Sequence, residues 1–172
     1  MEGQEELFLP EETTGVGATF SECGLYRYTL MRIWDSGRPR VVFLMLNPST
    51  ADAITNDPTV ERCQRRAVRM GFGGLVVINL FAYRSTDPEA LYGLDDPVGS
   101  DNDQAILQSA SSAGMVICAW GTHGALHGRG AAVRALLRDA GVTLHYLHLN
   151  ADGSPAHPLY LPYDLQPSEW TD

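Results

Sequence analysis

Asn47, Asn79 and His157 are the residues whose type and placement could do chemistry, because each follows a short apolar run. Asn79 ends the run GLVVI and offers one acceptor and one donor in a single plane, which suits the edge of a pyrimidine; as a plain alternative it caps a strand. Asn47 opens the loop Asn47-Pro48-Ser49-Thr50-Ala51-Asp52, where it either positions a ligand or makes an Asn-Pro turn. An amide is a weak base, so Asp52 is the nearest group able to take a proton, unless it only stabilises the loop. His157 sits in the proline-flanked stretch Ala156-His157-Pro158-Leu159-Tyr160 and is either a donor to a ligand or a surface histidine. Phe81 and Tyr83 follow Asn79 and either stack on a planar ligand or fill the core. Arg62, Arg65, Arg66 and Arg69 recur at helical spacing and form one basic face, read as a phosphate contact or as a solvated helix face.

The elements that must position these residues follow from the apolar pattern. Arg40 to Leu46 (RVVFLML), Gly74 to Ile78 and Met115 to Trp120 (MVICAW) read as buried strands, and Val142 to Leu149 as the last strand. Tyr26 to Trp34 reads as an early strand at an edge. Asp57-Pro58 pairs a capping aspartate with proline at the first helical position, starting a helix that runs to Met70, with Gly71 beyond its end. Asp87-Pro88 repeats that start for a short helix ending near Gly93. Ser100 or Asp101 caps a helix to Ala113, and a glycine-rich loop leads into a helix over Ala131 to Ala140. Strands alternating with helices predict a three-layer α/β/α sandwich around a mostly parallel sheet, with the four apolar strands as parallel neighbours. In such sheets ligands bind beyond the carboxyl ends of the strands, so the loops carrying Asn47, Asn79 and His157 should meet on one rim.

The bulk properties bound the reading. The chain has 172 residues, 44% of them hydrophobic, which predicts a single α/β domain over residues 1–172. Residues 1–20 are expected to be poorly ordered. The acidic start lacks the marks of a signal peptide and no run approaches membrane-spanning length, so the expected compartment is the cytoplasm, without a membrane partner. A net charge of −9 argues against general affinity for nucleic acid and leaves room only for a local basic patch. All 12 basic residues are arginines, which removes a Schiff-base lysine, a P-loop lysine and a lysine general base together. Cys23, Cys63 and Cys118 are odd in number and widely spaced, fitting no disulfide framework and no metal pattern. His145 and His148 point to opposite faces of a strand, and neither a metal nor another cofactor is expected.

The segments L-N-P-S-T-A-D, N-D-P-T-V-E-R-C, G-G-L-V-V-I-N-L-F-A-Y-R and H-P-L-Y, in that order, resemble a bacterial family catalogued as domain of unknown function number 1643, from Tyr26 to Tyr163. More distantly, the motif order resembles the uracil-DNA glycosylase superfamily. Leu46-Asn47-Pro48-Ser49 is similar to the G-I-N-P-G motif of its mismatch-specific branch, Asn79 to the asparagine that reads the base, Trp120-Gly121 to a strand-end small-Gly pair, and His157-Pro158-Leu159 to the H-P-S motif. Met45 stands where a glycine is usual and Leu159 where a serine is usual. The resemblance implies a uracil-DNA-glycosylase-like fold. It also implies that Asn47 orients a water against the sugar carbon, with Asp52 as an alternative base, while Asn79 reads the base and His157 stabilises the departing anion. The implied activity is monofunctional hydrolysis of an N-glycosidic bond, on a nucleobase, a nucleotide or DNA containing a modified base. The altered motif flanks and the acidic charge leave open a second reading, a non-catalytic nucleotide or nucleic-acid binding module on the same fold.

Overall fold

A computed structural model describes residues 15–171. Its strands are β1 (Gly15–Phe20), β2 (Arg27–Ile33), β3 (Arg40–Met45), β4 (Gly74–Asn79), β5 (Met115–Cys118), β6 (Leu144–Tyr146) and β7 (Ser168–Glu169). Its α-helices are α1 (Pro58–Arg69), α2 (Asn102–Ser111) and α3 (Arg129–Asp139), and two 3-10 turns cover Pro88–Gly93 and Thr122–Gly128. The seven strands form one sheet in the order β1-β2-β4-β3-β5-β6-β7. Parallel ladders join β4 to β3, β3 to β5 and β5 to β6, so the four apolar runs are parallel neighbours as expected.

The sheet is mixed rather than mostly parallel, because antiparallel ladders join β1 to β2, β2 to β4 and β6 to β7. The early strand is not at an edge. β2 lies between β1 and β4, and all seven of its residues are buried. Residues 15–20, expected to be poorly ordered, form β1 because they supply the ladder that covers β2; residues 1–14 lie outside the described residues. The last strand is shorter than its apolar run, since the chain leaves the ladder after Tyr146 and turns back through a Leu149–Pro155 bridge.

Alternate residues of each central strand enter different cores, as the two-residue period of a strand requires. Val41, Phe43 and Met45 of β3 pack with Val60, Cys63 and Ala67 of α1. Val42 and Leu44 pack with Ile106 of α2 and with Val133 and Leu137 of α3. The start of α1 is built as its sequence dictates: the Asp57 carboxylate accepts from Val60 N at 2.8 Å and proline occupies the first turn. The Asp87-Pro88 start yields a 3-10 turn, with Asp87 accepting from Glu89 N at 3.0 Å.

Candidate functional site

The parallel strands place their carboxyl ends around a cleft of about 610 Å³. Met45, Leu46 and Asn47 enter it from the end of β3, Asn79 from the end of β4, Trp120 and Gly121 from the end of β5, and His148 from beyond β6. His157 comes from the segment that folds back across the sheet. That return is fixed by backbone bonds: Ala156 N donates to His148 O at 2.8 Å, and Gly121 N to Pro155 O at 2.8 Å. Asn47, Asn79 and His157 therefore line one cleft, far apart in sequence but adjacent at one edge of the sheet.

Asn79 is 1% exposed, and neither its Oδ1 nor its Nδ2 has a hydrogen-bond partner. Buried amides are paired as a rule, because an orphaned donor or acceptor carries the full desolvation cost. Its position is held by its own backbone. Asn102, fully buried, donates through Nδ2 to Asn79 O at 2.9 Å and to Leu80 O at 3.0 Å, and Arg129 Nε donates to Leu80 O at 2.8 Å. Asn79 thus lines the cleft from a strand end fixed by these bonds, with its amide unpaired.

Asn47 ties two loops together. Its Nδ2 donates to Ser85 O at 2.9 Å and to Pro48 O at 3.1 Å, leaving Oδ1 as its uncommitted polar atom. The Nδ1 of His157 accepts from Leu159 N at 3.2 Å, which places the proton of the neutral ring on Nε2. Burial holds the His157 pKa below its ordinary value, partly offset by the charge of Asp57, so the neutral donor form is favoured.

The remaining residues singled out from the sequence lie elsewhere. Asp52 is outside the cleft lining. Its Oδ1 accepts from Ile54 N at 3.0 Å and Thr55 N at 2.8 Å, bonds that hold its carboxyl below the usual range, so it organises its own loop. Phe81 is fully buried in the core together with Leu80, because the chain leaves the strand after Asn79 and both side chains enter the same cluster. Tyr83 packs edge-on against Tyr26, with ring centroids 5.8 Å apart, and is not part of the lining. The aromatic wall is Trp120 instead, held in place by glycines: a Cβ on Gly124 would sit 2.2 Å from its ring.

Two arginines of the basic face of α1, Arg62 and Arg66, are bonded to the returning chain, while Arg65 and Arg69 are exposed. Arg62 Nη2 donates to Leu161 O at 2.8 Å, Arg66 donates to Pro162 O at 2.9 Å and Leu161 O at 3.1 Å, and the Tyr163 ring lies under Arg62, Arg66 and Arg69. Arg65 pairs with Glu61 at 3.1 Å. Arg62 and Arg66 thus fasten residues 161–162 to α1, and none of the four arginines is in the cleft lining.

The sequence reading passed over Arg27 and Asp57, both in the cleft lining. The available signal for the first is an arginine in a largely aromatic and apolar run; the second reads in sequence as a helix cap. No group of three or more His, Cys, Asp or Glu able to hold a metal ion occurs among the described residues. No described helix is long and apolar enough to cross a membrane.

No curated protein and no solved structure matches the chain. A family model does match, over residues 27–159, a span that runs from β2 to the His157 segment and contains Arg27, Asn47, Asp57, Asn79, Trp120 and His157; the chain belongs to the family described as protein of unknown function (DUF1643).

Proposed function

We propose that the cleft recognises a nucleobase by its edge and that its reaction, with Asn47 orienting a water, is hydrolysis of the N-glycosidic bond. The orphaned amide of Asn79 carries this reading: a buried, rigidly held donor and acceptor in one plane match the alternating donors and acceptors along a base edge. Trp120 supplies an apolar face for the ring, the Nε2–H of His157 a donor for an oxygen gaining charge, and Asn47 Oδ1 an acceptor for a water hydrogen. The similarity of motif order to the uracil-DNA glycosylase superfamily supports the same assignment. In this reading the two cores are the faces of one sheet, and the architecture is that superfamily's three-layer α/β/α sandwich.

A thermal-shift screen of free bases and nucleosides tests recognition, because a ligand of the folded state raises the melting temperature by mass action. A hit that disappears in Asn79→Ala supports the reading; no hit among the natural and common modified bases sinks it. Duplexes carrying uracil, hypoxanthine or oxidised pyrimidines, incubated beside an active control glycosylase, test turnover.

One observation favours binding without turnover. Asp57 is the sole carboxylate among the described residues lining the cleft, and its oxygens accept from Val60 N and from Ala51 N at 3.3 Å. A carboxylate committed to a helix cap is a poor general base. Tight binding with no base release selects this second reading.

A further inference from the structure

The cleft holds two charged side chains, Asp57 and Arg27, and only the first is accounted for by the fold. A guanidinium carries five N–H donors and no acceptor. Arg27 is 2% exposed, and a single donor is used, from Nη1 to Ala51 O at 2.9 Å. Its buried Nε has no partner, and it forms no ion pair among the described residues. Asp57 acts on it through space, while its own oxygens stay on the backbone at the start of α1. Burial lowers the Arg27 pKa to about 10, which still leaves a full positive charge at neutral pH. A buried cation without a bonded counter-charge is unfavourable unless something negative meets it.

The neighbours of Arg27 define where that negative group would lie. β2 runs beside β4, and Arg27 N donates to Ala82 O at 2.9 Å, so Arg27 stands next to the segment that leaves Asn79. The α1 arginines offer no substitute, since none of them lines the cleft.

We propose that Arg27 binds an anionic oxygen of the ligand, so that the substrate class of the cleft is a nucleobase carrying negative charge, either on a nucleotide phosphate or on the base itself. This rests on the nucleobase reading of Asn79 and adds a second requirement to it. A neutral nucleoside satisfies Asn79 and leaves Arg27 unpaired; a nucleoside monophosphate satisfies both.

Calorimetric titration of the full chain and of Arg27→Gln with a nucleoside, its monophosphate and the free base tests the proposal, with inorganic phosphate as a separate thermal-shift ligand. A charge-assisted hydrogen bond predicts that the monophosphate binds about 10- to 100-fold tighter than the nucleoside, and that Arg27→Gln erases this difference while leaving the nucleoside affinity in place. If the base itself is the anion, nucleoside and monophosphate bind alike, the free base binds tighter above its own deprotonation pH, and Arg27→Gln removes that gain. Equal affinity for neutral and anionic forms in the wild-type chain overturns the proposal, and this comparison stands even if Arg27→Gln does not fold. Equal weakening of every ligand by Arg27→Gln also overturns it, reducing Arg27 to a tie on Ala51. If no base-containing compound binds but inorganic phosphate stabilises the wild type and not the variant, the nucleobase reading falls and the anion site stands. If inorganic phosphate has no effect either, both fall.

Discussion

Replacing Asn79 by leucine should stabilise the protein while abolishing recognition. Leucine has the same number of side-chain heavy atoms as asparagine but no polar ones, and Asn79 has a 1% exposed side chain whose two polar atoms are unpaired. Each buried orphan costs about 1–3 kcal/mol. The two belong to one amide and do not add fully, so a net gain of about 2 kcal/mol is expected. For a chain of this size that raises the melting temperature by about 4–8 °C. The control is Asn102→Leu, the same chemical change at a fully buried asparagine that donates to Asn79 O and Leu80 O. Breaking those two bonds takes the side-chain donor from Asn79 O, while Leu80 O keeps Arg129 Nε, and should cost about 1–2 kcal/mol, less whatever is recovered by removing the unpaired Oδ1 of Asn102 itself. Urea unfolding at neutral pH, with the slope m unchanged between variants, measures both. Opposite signs mark Asn79 as a residue held at a stability cost for a ligand. A loss of about 1 kcal/mol or more in Asn79→Leu would mean that the amide is paired within the fold, and would remove the observation on which the nucleobase reading rests.

His157 should make stability pH-dependent: burial lowers its folded-state pKa below the ordinary 6.5, so the unfolded chain takes the proton first. Its contribution is then complete above about pH 6.5 and is lost as the pH falls from there toward the folded-state pKa, a slope that His157→Asn should flatten in urea titrations between about pH 7 and 5. Arg66→Met should cost about 2–3 kcal/mol, since a buried guanidinium loses its bonds to Pro162 O and Leu161 O, and amide exchange over residues 156–163 should rise with it; unchanged exchange there would show that Arg66 does not fasten the segment. Gly124→Ala should displace Trp120, because the added Cβ would lie 2.2 Å from Cδ1 of its ring, and should appear as a shifted tryptophan emission and a loss of about 2 kcal/mol or more.

The sequence by itself determined the central strands and the rim on which the candidate site lies. Four apolar runs too short for buried helices, separated by capped helices, leave a parallel arrangement as the natural solution, and parallel strands bring their following loops to one edge. That suffices to place Asn47, Asn79 and His157 together without coordinates. It also suffices for α1, whose start is a local event: an aspartate, a proline and a backbone N–H three residues on. What lay beyond local pattern was decided by tertiary contacts. Whether Phe81 faces a ligand or the core depends on how the chain turns beyond the end of β4, and that turn sends it into the core beside Leu80. The α1 arginines look alike in sequence, and only the return of residues 161–163 across the helix commits Arg62 and Arg66 to carbonyls and sets Tyr163 beside them and Arg69. The composition of Tyr26 to Trp34 suits an edge strand, but pairing order is not written in a single strand's composition. The insertion of β2 between β1 and β4 is what buries Arg27 and turns an ordinary basic residue into a charge at the cleft.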